Sequence, residues 1–125
     1  MTSTAQAPRL HVVVAHPDDE TFGCGGLLLH AQAAGFDTFV TCATRGEAGE
    51  DRDGRTGPVL GDLRAAELRS AATLLGVSDV ELLDFADSGM AGPTAPGTLV
   101  GADLADVVAT IVDSLRRTRP DVVLT

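Results

Sequence analysis

The apolar run Leu10-His11-Val12-Val13-Val14-Ala15 stops abruptly at His16-Pro17-Asp18-Asp19-Glu20, and this junction constrains the fold more than any other feature of the chain. A short β-branched run that ends on a polar cluster is the pattern of a buried parallel strand. The stretch from Glu20 to Ala34 reads as the following helix, Gly35 supplies its stop, and Asp37 to Ala43 reads as the next strand. A strand-helix-strand unit crosses over right-handed and pairs its strands in parallel.

The rest of the chain repeats this alternation. Thr44 to Gly61 is charged, glycine-punctuated and without period, so it is expected to be a long loop, a kind that is often functional. Asp62 is suited to cap a helix with Ala65, Leu68, Ala72 and Leu75 on one face, ending at Gly76. Val80 to Leu83 is expected as a third strand, followed by a second loop from Asp84 to Gly101. The clearest helix comes next, with Leu104, Val107, Val108, Ile111, Val112 and Leu115 at helical spacing. Asp103 and Asp106 fall in its first turn and Arg116 and Arg117 in its last, matching the helix dipole at both ends. Pro120 closes it, and Asp121 to Thr125 begins a fourth strand. The expected fold is therefore α/β: a Rossmann-like open, mainly parallel sheet with helices on both faces. Residues 1–9 are expected to be a flexible amino terminus. In such sheets ligands bind outside the carboxyl ends of the strands, so the loops after Ala15, Ala43, Leu83 and Thr125 are the places to look.

Composition narrows the function. The 125 residues include no lysine, and 9 basic against 18 acidic side chains leave a net charge of −9. Nucleic-acid binding rests on Lys and Arg neutralising phosphates, so that partner is not expected. Neither is a membrane: no apolar run approaches the roughly 20 residues of a spanning helix, and the first residues lack a signal-peptide pattern. A cytoplasmic location is the expectation. Cys24 and Cys42 are too few for a disulfide framework and read as small buried apolar residues.

The chemistry is concentrated at the first junction. With Pro17 at the first helical position, Asp18 and Asp19 fall in the first turn. His16 and Asp19, three apart, can close on one ion, and an imidazole with a carboxylate is an ordinary pair of zinc ligands. Asp18 could then serve as general base toward a water whose pKa the metal lowers toward ~7. Local physics offers an equal alternative, because carboxylates in a first turn stabilise a helix by roughly 0.3 to 1 kcal/mol each with no metal. Gly23-Cys24-Gly25-Gly26 follows three acidic residues that would repel a pyrophosphate, so it suits close helix packing better than phosphate binding. Arg64 and Glu67, three apart on a helix, suit a surface ion pair. His11, inside the first strand, reads as a satisfied core histidine.

Taken together, His16-Pro17-Asp18-Asp19-Glu20 after an apolar strand, Thr44-Arg45-Gly46-Glu47-Ala48-Gly49, and Arg64-Ala65-Ala66-Glu67-Leu68 resemble the PIG-L/LmbE-like zinc-dependent deacetylases. Asp87-Ser88-Gly89-Met90 is similar to the branch acting on N-acetylglucosaminyl-inositol in mycothiol biosynthesis. The resemblance implies removal of the N-acetyl group from an N-acetylglucosamine-type sugar conjugate, a small-molecule partner, by metal-assisted hydrolysis. It implies His16 and Asp19 as zinc ligands, with iron(II) an alternative metal, and Asp18 as the general base. Arg64 and Asp87 would bind substrate hydroxyls, and Glu47 would shape the substrate pocket. The family's third zinc ligand, a histidine, would lie beyond Thr125, so residues 10–125 are expected to be the amino-terminal part of one deacetylase domain whose carboxyl-terminal half is absent. Such a truncated chain would bind metal poorly, show little activity and leave the last strand as an exposed or frayed edge, a liability for solubility; a homo-oligomer is a separate expectation for its partners. Two other readings stand beside this one: an amidase acting on a thiol conjugate, and a catalytically silent carbohydrate- or partner-binding module.

Overall fold

Four strands form one parallel sheet in the order β3-β2-β1-β4 in the computed structural model, which describes residues 6–125. The strands are β1 (Arg9–Val14), β2 (Asp37–Cys42), β3 (Asp79–Leu82) and β4 (Val122–Leu124). Between them run α1 (Asp19–Phe22), α2 (Gly25–Ala33), α3 (Gly57–Leu74) and α4 (Leu104–Thr118). Every strand pair is parallel, with Leu10 opposite Thr38 and Val122, and Val40 opposite Val80. The expected open α/β sheet is what forms.

Several boundaries differ from expectation, each for a local reason. The first strand begins at Arg9, inside the stretch expected to be flexible, because Arg9 N donates to Asp121 Oδ2 at 2.8 Å and its guanidinium to Thr118 O at 2.7 Å. The remainder of that expectation, for residues 1–5, lies outside the described residues. The single helix expected from Glu20 to Ala34 is two helices broken at Gly23-Cys24. A Cβ at Gly23 would stand 2.9 Å from the Asp19 carbonyl oxygen, so the tight turn there requires glycine. The third helix starts at Gly57 instead of after Asp62, with Thr56 as N-cap and Pro58 in its first turn, where a missing N–H costs nothing. Asp103 is the N-cap of α4 and not part of its first turn: its carboxylate accepts from Ala105 N at 2.8 Å.

Strand alternation sorts the residues onto two faces. Leu10, Val12 and Val40 point to one side, where with Leu28 and Ala31 of α2 and Leu75 after α3 they form the core. The face of α3 expected from its period, Ala65, Leu68, Ala72 and Leu75, is buried there. Cys42 is buried too, and burial pushes its thiol up to about 12, so it packs as an inert small residue. The opposite face is polar at its centre. His11, 1% exposed, has Nδ1 2.8 Å from Thr118 Oγ1 and Nε2 2.7 Å from Thr41 Oγ1. Glu81 accepts from Ser114 and from Arg117, the latter at 2.6 Å. Helix α4 is thus seated by hydroxyls and one carboxylate, and its buried residues are Ser114 and Thr118. Part of its apolar stripe stays uncovered, with Leu104 75% and Val108 50% exposed.

The chain moves from β1 outward to β2 and β3, then crosses back to place β4 on the other side of β1. The order therefore reverses between β1 and β4, and crevices at such switch points are where open α/β sheets bind ligands. The segment His16–Glu20 leaves β1 at that point. No helix among the described residues is long and apolar enough to cross a membrane.

Candidate active site

The turn after β1 is built by Asp18. Its backbone lies at φ 138°, ψ −28°, a region that L-residues avoid and that costs on the order of 1–3 kcal/mol. Helix α1 consequently begins at Asp19, with Asp18 as its N-cap; Pro17 precedes the helix and does not occupy its first position. The kink turns neighbouring carboxylates in different directions. Asp19 Oδ2 accepts from His16 N at 3.0 Å and lies 3.7 Å from His16 Nδ1. Asp18 Oδ2 accepts from Arg64 Nη2 at 3.0 Å.

Two further loops close on this turn. Thr44, at the end of β2, donates its hydroxyl to Ala15 O at 2.9 Å and its amide to the same oxygen at 3.0 Å, tying the β2 loop to the β1 loop. Arg64 reaches from α3 to both: Nη1 donates to Gly46 O at 2.9 Å and Nη2 to Pro17 O at 2.8 Å. The ion pair that Arg64 makes is with Asp18, not with Glu67. Gly46 is the counterpart of this clamp, since a Cβ there would lie 1.9 Å from Arg64 Nη1.

The loop after β3 supplies Asp87, whose Oδ1 is 3.2 Å from His16 Nε2 and accepts from Gly89 N at 3.1 Å. Burial works against ionisation of Asp87, but the Gly89 amide and the His16 ring outweigh it and hold the carboxyl below its usual range. Glu47 Oε1 accepts from Asp87 N at 2.9 Å, and Glu47 Oε2 is buried without a partner among the described residues. The Glu47 carboxylate is therefore turned toward the Asp87 backbone. A cavity of about 470 Å³ opens between these loops, lined by His16, Asp18, Arg64, Asp87 and Met90 among others. A second, of about 520 Å³, shares Asp18 and Arg64 and extends along Glu50 to Arg55.

The six residues singled out from the sequence thus fall at one end of the sheet. His16 stands between the carboxylates of Asp19 and Asp87, an arrangement that suits two donors of a divalent-cation site; among the described residues no group of three or more His, Cys, Asp or Glu is set to hold a metal ion. Catalytic zinc takes three protein ligands, so the donors present match part of such a set. Sequence reasoning gave no role to Thr44 or Glu20. Glu20 is 1% exposed, and its Oε2 accepts from Asp18 N at 2.9 Å. The signal for it was present: an acidic residue just inside a helix start can reach back to the N-cap amide, as in a capping box.

The chain is similar to several known proteins. A 1D-myo-inositol 2-acetamido-2-deoxy-alpha-D-glucopyranoside deacetylase from Rhodococcus erythropolis is 40% identical over 136 residues, covering 98% of this chain and 46% of the relative. One from Mycolicibacterium smegmatis is 38% identical, covering 98% of this chain and 47% of its own length. The chain thus spans less than half of the length of these curated relatives. Among solved structures, the N,N'-diacetylchitobiose deacetylase of Pyrococcus horikoshii superposes with a TM-score of 0.75 at 25% identity, covering 94% of this chain and 40% of that one. A 4-carboxy-2-hydroxymuconate hydratase from Pseudomonas putida superposes with a TM-score of 0.73 at 28% identity, covering 94% and 46%, so one fold serves more than one reaction. Residues 11–125 match the family described as PIG-L: GlcNAc-PI de-N-acetylase, and the chain belongs to that family.

Proposed function

We propose that residues 10–125 are the amino-terminal part of a single metal-dependent deacetylase domain that removes the acetyl group from an N-acetylglucosamine-type sugar conjugate. The observation that carries this reading is the meeting of His16, Asp18, Arg64 and Asp87 around one cavity, with Asp19 against His16, in a chain whose relatives are named as deacetylases of an acetamido sugar joined to inositol. His16 and Asp19 are the residues that would hold the cation, with a third protein ligand from sequence following Thr125. When bound, a zinc or iron(II) ion supplies polarisation of the amide carbonyl and lowers the pKa of the attacking water. Arg64 occupies Oδ2 of Asp18, which leaves Oδ1 to accept a proton from that water as it attacks the carbonyl carbon. Asp18 then returns the proton to the amine nitrogen as the C–N bond breaks, giving acetate and the free amino sugar. Asp87 and Arg64 face the same cavity and are suited to sugar hydroxyls, and Glu47 shapes the pocket by holding the Asp87 loop. A small acetylated sugar as partner and a cytoplasmic location go with this reading.

The test is release of acetate from the acetamido-glucopyranosyl inositol by the chain extended to the length of its relatives. Asp18→Asn is expected to lower kcat by about 10²- to 10⁴-fold, the usual contribution of a general base, while elemental analysis still finds the metal. His16→Ala is expected to lose the metal. Cleavage of a thiol-conjugate amide without acetate release from the sugar would move the assignment to an amidase. Hydration of a muconate with neither amide cleaved would move it to the chemistry of the Pseudomonas neighbour.

A further inference from the structure

Glu20 is a buried carboxylate to which the mechanism above gives no part. It is 1% exposed, and among the described residues it is held by hydrogen bonds and not by an ion pair: Oε2 accepts from Asp18 N at 2.9 Å and Oε1 accepts from Thr21 Oγ1 at 2.7 Å. Taking a carboxylate out of water without a cationic partner is unfavourable, and an apolar residue would fill the same space without that cost. What the carboxylate does here is specific. The amide it receives belongs to Asp18, the residue whose backbone sits at φ 138°. A main chain held in that region reverts unless its surroundings over-determine it. Glu20 supplies one such restraint from within α1, and Arg64, on the Asp18 side chain and the Pro17 carbonyl, supplies the other from α3.

We infer that Glu20 is a positioning residue for the reaction: by accepting the Asp18 amide it fixes the strained backbone of Asp18 and so aims that carboxylate into the cavity. The inference rests on Asp18 as the general base. The role needs an acceptor oxygen, not a negative charge, so an amide side chain can fill it and an apolar one cannot. Thr21 is exposed, and its hydroxyl orients Glu20 from the outside.

The experiment compares Glu20→Gln, Glu20→Met and Asp18→Asn with the parent in the extended, metal-loaded chain. It follows kcat, KM, metal content and the hydrogen exchange of the Asp18 amide, with the β1 amides as a control for folding. Misplacing a reacting group by about an ångström costs on the order of 10²-fold. Glu20→Met is therefore expected to lower kcat by about tenfold to a hundredfold with KM within about twofold, the metal retained and the Asp18 amide exchanging faster. Glu20→Gln is expected to stay within about threefold of the parent with the Asp18 amide still protected. Full kcat in Glu20→Met, or equal loss in Glu20→Gln and Glu20→Met, would overturn the inference. Where Glu20→Met does not fold, the parent decides: an Asp18 amide exchanging at the rate of the amide of exposed Arg52 overturns it, and a protected amide that Thr21→Val loosens supports it. Full activity in Asp18→Asn removes the reading of Asp18 itself, an outcome separate from the others.

Discussion

Gly46 and Arg64 show how closely single residues are matched around the cavity. The Arg64 guanidinium binds the Gly46 and Pro17 carbonyls and the Asp18 carboxylate, and it fits because Gly46, at φ +67°, presents no side chain. Both its backbone conformation and its contact exclude alanine. Gly46→Ala is expected to destabilise the fold by more than about 1 kcal/mol through the positive φ alone, and to displace Arg64 from Asp18. Thermal denaturation reads the first effect and kcat the second; a variant with unchanged Tm and kcat would show that the clamp is dispensable. At this scale the sequence marked Arg64, Asp87 and Glu47 through family resemblance, but their connections come from distant loops. The spacing of Arg64 to Glu67 suggested a surface pair, whereas the partner, Asp18, is 46 residues away.

Helix α4 is the element whose packing departs most from its pattern. Its periodicity advertised an apolar face, yet the residues seated on the sheet are Ser114 and Thr118 against His11 and Glu81. Burial lowers the pKa of His11, with Glu81 opposing that shift and Arg117 adding to it. Burial works against ionisation of Glu81, but hydrogen bonds from Arg117, Ser114 and Thr41 win and hold its carboxyl below the ordinary range. A histidine whose folded pKa is depressed leaves the unfolded chain binding more protons just below 6.5, so its stabilising effect is lost as pH falls from that value. A carboxylate with a depressed folded pKa stabilises above its unfolded value of 4.5, and that stabilisation is lost as pH falls through the folded value. Denaturant midpoints are therefore expected to drop in two stages, first below about pH 6.5 and again below about pH 4.5, these being the unperturbed values of the two groups. His11→Gln should flatten the first stage and leave the second. A midpoint that is constant from pH 7 to 5 would contradict the assignment to His11.

At the scale of the molecule, the sheet has unequal margins. β4 is three residues long, and its Val122 and Val123 are 49% and 46% exposed. Beside it, the carboxyl ends of β1 and β4 meet α4 in an apolar groove of about 420 Å³ that Val14, Val100, Val107 and Ile111 help to line. An exposed strand edge next to an apolar patch is a template for association. The 125-residue chain on its own is expected to self-associate with rising concentration in sedimentation velocity, and Val123→Lys to shift it toward monomer. A chain that stays monomeric at high concentration would show that the edge is protected in another way.

The sequence by itself determined the alternation of strands and helices, the parallel sheet and the junction at His16–Glu20, because these depend on local period, capping and turn chemistry that neighbouring residues carry. The break between α1 and α2 and the early start of α3 were also local, but they rested on Gly23 and Pro58, residues that either end or begin a helix according to context. Only the tertiary structure decided that Asp18 takes a positive φ, that Glu20 is fully buried, and that α4 docks through hydroxyls. Each of these is a balance between a local preference and contacts made from elements far along the chain, Arg64 on Asp18 and Thr118 on His11 among them. Such a balance is struck only when those elements are packed together.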